Sequence, residues 1–279
     1  MEFVFRRHYR GPVKAVILDW AGTTVDYGSC APAMVFVELL SRYDVPISTA
    51  EARGPMGMHK KDHIRALTQV PAIAQRWERA HGRPPVEADV EAMYADFQPL
   101  LLDILANYAT PIPGVLEAVS AFGERGCTIG SCTGYTREMM AVLVPAAHQH
   151  GFKPDSIVCV SDVPAGRPAP WMALHSAMQL GVYPMEAVVK VGDTLVDVAE
   201  GLNAGMWTVA VAKTGNGLGL NQAEAEALSE GELHARLAPV CAQMYAAGAH
   251  YVVDGVGDVP PLLDEIEARL ARGEHPTGS

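Results

Sequence analysis

Six short apolar runs rich in β-branched residues recur along the chain, separated by stretches of helical periodicity. They lie at 13–18, 127–131, 157–160, 187–191, 207–211 and 250–253. Runs this short, with no polar alternation, predict strands buried on both faces. Helical patterns fill the gaps at 114–125, 137–150, 171–180, 196–204 and 232–247. Strand alternating with helix predicts the α/β class: a Rossmann-like parallel sheet flanked by helices.

One stretch departs from this alternation. Between about residues 33 and 108 the periodicity is helical throughout, at 33–42, 58–70, 72–81 and 87–108, the last interrupted near Pro99. Pro46, Pro71, Pro84, Pro85, Pro111 and Pro113 punctuate it. An all-helical block inserted after the first strand reads as a cap. The expected division is a core at 1–27 and 110–279 and a cap at 28–109, with hinges at Tyr27-Gly28 and 110–114. The basic start, with Arg6, Arg7, His8 and Arg10, reads as a short arm without a signal peptide behind it. The tail from 272 to 279 reads as frayed.

Charge and cysteine content exclude several functions. There are 32 acidic against 21 basic side chains, a net charge of −11, so neither nucleic acid nor an anionic membrane surface is an expected partner. An anionic substrate would need local counter-charges. No apolar run reaches the roughly 18 residues of a membrane span. The five cysteines fit no paired metal spacing and predict reduced thiols in a cytoplasmic protein.

In parallel α/β sheets ligands lie beyond the carboxyl ends of the strands. Four of those ends carry reactive groups: Asp19-Trp20-Ala21-Gly22-Thr23-Thr24, then Ser131-Cys132-Thr133-Gly134-Tyr135, then a loop with Arg167-Pro168, then Gly192-Asp193 with Asp197. Asp19 and Asp193 end neighbouring predicted strands and can converge on one hard cation. Magnesium suits such a pair, since it prefers oxygen ligands and takes few carboxylates. Thr133 offers a hydroxyl and Gly134 an approachable N–H at a predicted helix start. Arg167 supplies a forked, permanent positive charge; Lys190 is its rival but sits inside a strand. Asp197 can hold a metal-bound water or orient Asp193. Singly, each of these residues reads as a cap, turn or loop residue. In this order they resemble the haloacid dehalogenase superfamily of phosphoryl-transfer enzymes. That resemblance implies that Asp19 is a nucleophile forming an acyl phosphate. It also implies that Thr133, Gly134 and Arg167 bind phosphoryl oxygens, and that Asp193 and Asp197 serve Mg2+.

Most phosphatases of that superfamily carry a second Asp two residues after the nucleophile, to protonate the leaving oxygen. Here that residue is Ala21, which keeps only a backbone carbonyl to offer the metal. In the cap, Met56, Lys60, His63, Leu67 and Val70 share one apolar helix face, while Lys61, Arg65 and Gln69 share the polar one. A lysine on the apolar face near a helix N-terminus is driven toward its neutral form, which imine chemistry requires. Together with Gly134-Tyr135 and Gly166-Arg167-Pro168, these motifs closely resemble the phosphonatases, which cleave the carbon–phosphorus bond of phosphonoacetaldehyde. The resemblance implies an imine on Lys60 and a small-molecule phosphonate substrate in aminoethylphosphonate degradation. It also implies a homodimer through the cap. His63 is the candidate proton carrier or else a packed histidine. Tyr135 contacts substrate or cap, and Met56 shapes the aldehyde pocket or packs the core. Two rival readings are a phosphatase or phosphomutase on a phosphate ester, and a non-catalytic phosphate-ligand binding protein.

Overall fold

A computed structural model of the chain describes residues 8–276. The apolar runs form six strands: β1 (Ala15–Leu18), β2 (Thr128–Thr133), β3 (Ser156–Cys159), β4 (Val188–Gly192), β5 (Trp207–Val211) and β6 (Tyr251–Val253). They make one sheet in the order β3-β2-β1-β4-β5-β6, parallel throughout. Every residue of β1, β4 and β5 is buried, as expected when helices cover both faces; β6, at an edge, is half-buried. Leu18 stands level with Ser131 on one side and Val191 on the other. The residues that follow those three emerge at the same end of the sheet. β2 and β3 are added on one side of β1 and β4 to β6 on the other, so the crevice of this fold opens above β1 and its neighbours.

Between β1 and β2 the chain is helical: α1 (Cys30–Arg42), α2 (Thr49–Arg53), α3 (Lys60–Gln69), α4 (Pro71–His81) and α5 (Glu87–Leu105). The short α2 was not expected, because one turn leaves no periodicity to read. A capping box makes it: Ser48 accepts from the Glu51 N–H while the Glu51 carboxylate accepts from the Ser48 N–H. The helix expected from residue 58 starts two residues later, at Lys60, after a turn through Gly57 (φ +90°). The expected interruption at Pro99 is absent. Proline removes one hydrogen bond, but Met93, Phe97, Leu101 and Leu105 are buried along α5 and hold it against α1 and α3.

α6 (Val115–Glu124) leads from the insert into β2, and the rest of the chain supplies α7 (Arg137–Gln149), α8 (Trp171–Gln179), α9 (Leu195–Asn203), α10 (Gln222–Glu226), α11 (Glu230–Ala246) and α12 (Leu262–Ala271). The insert reaches the core partly through α5 against α7. Met1–Arg7 and Thr277–Ser279 lie outside the described residues, so the arm and the last tail residues go untested. Residues 272–276 are not frayed: Glu274 pairs with Arg269 at 2.7 Å and the Pro276 carbonyl accepts from His250. No described helix is long and apolar enough to cross a membrane.

Candidate active site

Asp19 follows β1, Asp193 follows β4, and Asp197 lies in the first turn of α9. All three are buried, and each offers an oxygen within 4.8 Å of the others. Asp193 accepts from the Asn216 N–H at 2.7 Å and from the Thr23 hydroxyl at 3.3 Å. Gly22 is required beside it, since a Cβ there would stand 2.2 Å from Asp193 Oδ2. Asp197 also caps α9, accepting from the Thr194 N–H and hydroxyl.

Arg167 is nearly fully buried and spends its fork on the carboxylates. It lies 2.7 Å from Asp19, 3.1 Å from Asp197 and, through Nε, 2.8 Å from Glu200; it also donates to the Cys132 carbonyl. Lys190 reaches Asp197 at 2.8 Å and Glu200 at 3.4 Å. Both candidate cations therefore enter the cluster, but of the two only Arg167 pairs with Asp19. Burial pushes Asp19 and Asp193 upward, Asp193 well above the usual carboxylate range because Asp19 and Asp197 repel it as well. Burial acts on Asp197 too, but Arg167 and Lys190 outweigh it and hold its carboxyl low.

Thr133 ends β2, and its Oγ1 accepts from the Tyr135 N–H at 3.2 Å. Gly134 is not at a helix start, as expected from the sequence, because α7 begins at Arg137 and is capped by Thr136. Instead Gly134 receives the insert. A Cβ on it would meet the carbonyl oxygens of Met58 and Gly57 at 3.2 and 3.3 Å. The insert's α2–α3 turn therefore rests on the backbone after β2.

That turn delivers Lys60, the first residue of α3, which is 4% exposed. Its Nζ lies 4.0 Å from Met56 Sδ, 5.1 Å from the Tyr135 ring centre and 5.8 Å from that of Phe36. Burial pushes the amine down to about 8 against the opposing pull of Asp19 and Asp26. Lys61 points outward to Glu91. His63 is packed, the second of the two readings its position allowed. Its ring stacks on Phe36 at 3.8 Å, Nε2 donates to the Ala52 carbonyl at 2.8 Å, and burial pushes it down to about 3. It does not line the cavity beneath Lys60. That cavity has about 20 Å3 of space and is walled by Asp19, Ala21, Met56, Lys60, Thr133, Gly134, Tyr135, Arg167 and Asp193. Of the sequence-predicted site residues, only His63 and Asp197 stand outside its wall.

A family model for haloacid dehalogenase-like hydrolases matches residues 13–205. The chain belongs to that hydrolase family. It is 50% identical over 274 residues to a phosphonoacetaldehyde hydrolase of Nitratidesulfovibrio vulgaris, covering 98% of both chains. It is 51% identical to one of Syntrophobacter fumaroxidans, covering 98% of this chain and 99% of that one. A crystal structure of a phosphonoacetaldehyde hydrolase-like protein from Oleispira antarctica superposes with a TM-score of 0.96 at 40% identity, covering 99% of this chain and 100% of that one.

A divalent cation fits the donor set of this hydrolase. Asp19, Asp193, Asp197 and Glu200 cluster with Arg167 and Lys190, so four carboxyl groups meet two cations in one buried site. Carboxylate oxygens are the ligands magnesium prefers. Three residues of the site had no role assigned from sequence, Ser29 near the hinge being one whose role was left open. Glu200 is fully buried, and its Oε1 has no hydrogen-bond partner. Ser29 lines the cavity. Asp26 caps α1 by accepting from the N–H groups of Cys30 and Ala31, and burial pushes it up to about 7. Asp26 and Ser29 had a legible signal, an Asp and a Ser just before a helical run. Glu200 had none, because a Glu in mid-helix is usually a surface residue.

Proposed function

We propose that the chain hydrolyses the carbon–phosphorus bond of phosphonoacetaldehyde to acetaldehyde and phosphate, by way of an imine on Lys60 and an aspartyl phosphate on Asp19. One observation carries this reading: a buried lysine shares a small cavity with the aspartate, where Ala21 stands in place of a general acid. The names of the relatives support the substrate.

Lys60 condenses with the aldehyde and releases water. The protonated imine then withdraws electrons from the adjacent carbon. Arg167, Thr133 and the Gly134 N–H hold the phosphonate oxygens while Asp19 Oδ attacks phosphorus. The carbon–phosphorus bond breaks, its electron pair passes to the carbon fragment as an enamine, and the phosphoryl group stays on Asp19. Protonation at carbon and hydrolysis return Lys60 and acetaldehyde; water opens the aspartyl phosphate to phosphate. Asp19, Asp193 and the Ala21 carbonyl, with Asp197 behind them, would hold a magnesium ion, which would supply positive charge that lets one anion attack another. Tyr135, whose buried hydroxyl has no partner and whose pKa burial raises well above 10, orients the aldehyde as a neutral donor. Met56 walls the aldehyde side. His63 packs α3 beneath Lys60 and moves no proton at the substrate.

A cavity of about 20 Å3 holds roughly one water. Substrate therefore enters with the helical insert (28–109) moved away from the core (1–27 and 110–279), and chemistry follows closure. A wider cavity of about 610 Å3 shares Met56, Met58, Asp193 and Thr194 with the first and gives the way in. Pairing of two copies through the insert, where Met34 of α1 is 57% exposed, and a reducing cytoplasmic setting for the free cysteines complete the reading. The test is turnover. The wild type should release phosphate from phosphonoacetaldehyde and not from simple phosphomonoesters, and Lys60→Arg should abolish release, since guanidinium stays protonated and forms no imine. Preference for the esters, or near-normal turnover by Lys60→Arg, refutes the reading.

A further inference from the structure

Arg53, the last residue of α2, reaches out of the insert into the core. Its Nη1 donates to the carbonyls of Gly28 and Ser29, where the chain enters the insert, and to Asn216 Oδ1 at 3.1 Å; Nη2 lies 3.6 Å from Cys30 Sγ. Asn216 answers from the core loop after β5, its Nδ2 donating to the Arg53 carbonyl at 3.4 Å. The same Asn216 donates its backbone N–H to Asp193 Oδ2 at 2.7 Å. The loop is tightly fitted on both sides: a Cβ on Gly215 would stand 2.5 Å from Asp193 Cβ, and one on Gly219 2.8 Å from Arg53 Nε. One residue is thus clamped by the insert through its side chain and by the metal-site carboxylate through its backbone.

We infer that Arg53 and Asn216 form a closure latch that couples seating of the helical insert to the orientation of Asp193, so that the cation site is completed only when the insert is down. Both are positioning residues, since neither lines the cavity shared by Asp19 and Lys60. The inference rests on the proposed function only in taking Asp193 as a metal ligand. A planar guanidinium whose Nη1 is shared among two carbonyls and an amide oxygen, with Nη2 set against Cys30, holds geometry better than a freely rotating ammonium would. Insert and cation become mutually stabilising: whatever closes the insert tightens the cation, and the reverse holds by linkage.

The experiment is calorimetric titration of the full-length protein with magnesium chloride. It compares the wild type with Arg53→Met, Asn216→Ala, the double variant, and Arg76→Met as a control. Arg76 pairs with Glu51 inside the insert and touches none of the latch. Arg53→Met and Asn216→Ala should each weaken magnesium binding about tenfold, the double variant should lose no more than either single one, and Arg76→Met should bind as wild type does. Folded single variants that keep wild-type affinity, or losses that multiply in the double variant, would overturn the latch. So would an equal loss in Arg76→Met. Should Arg53→Met fail to fold, Asn216→Ala decides alone: unchanged affinity there defeats the proposal. Hydrolysis of phosphonoacetaldehyde is a separate readout, so its absence in the wild type would refute the proposed function and leave the latch standing.

Discussion

Lys60 carries a cost that the proposed imine role would explain. An amine at the first position of a helix meets the positive end of the dipole, and here it is buried as well. Its folded pKa is pushed from 10.5 to about 8. The unfolded chain binds more protons than the folded one between those values, so stability should rise with pH across that window; below about pH 8 the burden is present in full. It amounts to roughly 3 kcal/mol. Lys60→Met keeps the apolar stem and removes the charge. It should therefore be more stable than wild type at pH 7 by up to about that amount, with the advantage fading as pH rises from 8 to 10.5. Urea midpoints across that range measure it, and equal midpoints at pH 7 would contradict the burial of a costly amine. Lys60 was legible in the sequence because helical spacing separates it from Lys61. Arg53 and Asn216 were not, because their importance lies in contacts 163 residues apart in the chain. No periodicity reports such a pair. His63 shares the apolar face with Lys60, and spacing alone cannot tell a group that faces a cavity from one stacked against a neighbouring ring.

At the scale of elements, the turn between α2 and α3 decides how closely the insert meets the core. Gly57 adopts φ +90°, and a Cβ there would fall 2.4 Å from Thr194 Oγ1 and 2.6 Å from Val196 Cγ2, at the start of α9. Gly57→Ala should therefore hold the insert off the core and lower turnover by about 100-fold, the scale of loss expected when a reacting group is displaced by an ångström. Gly82→Ala is the comparison, for Gly82 also has positive φ (+70°) but nothing within 4 Å. It should lose stability from backbone strain of about 1 kcal/mol or more and keep its turnover. Equal turnover loss in both variants, followed by phosphate release and thermal melting, would show that seating of the turn is not what matters. Strand positions were legible because a buried parallel sheet demands unbroken apolar runs. The one-turn α2 and the unbroken α5 were not, since the first depends on a capping box and the second on packing that outweighs a proline.

At the scale of the whole molecule, the sheet supplies the carboxylates and the insert supplies the amine, and neither part alone makes a site. The sequence showed both halves, since a strand-end aspartate and a lysine on an apolar helix face are local features. Their meeting is tertiary and had to be seen. The buried surplus of carboxyl groups, the small cavity and the missing acid at Ala21 support the proposed division of labour, in which the insert makes carbon a leaving group and the core accepts phosphorus. Borohydride reduction of the full-length protein during turnover of phosphonoacetaldehyde, followed by peptide mass mapping, tests that division most directly. A covalent label on Lys60 and none on Lys61 is the predicted result. Turnover with no label, or with the label on Lys61, would contradict it.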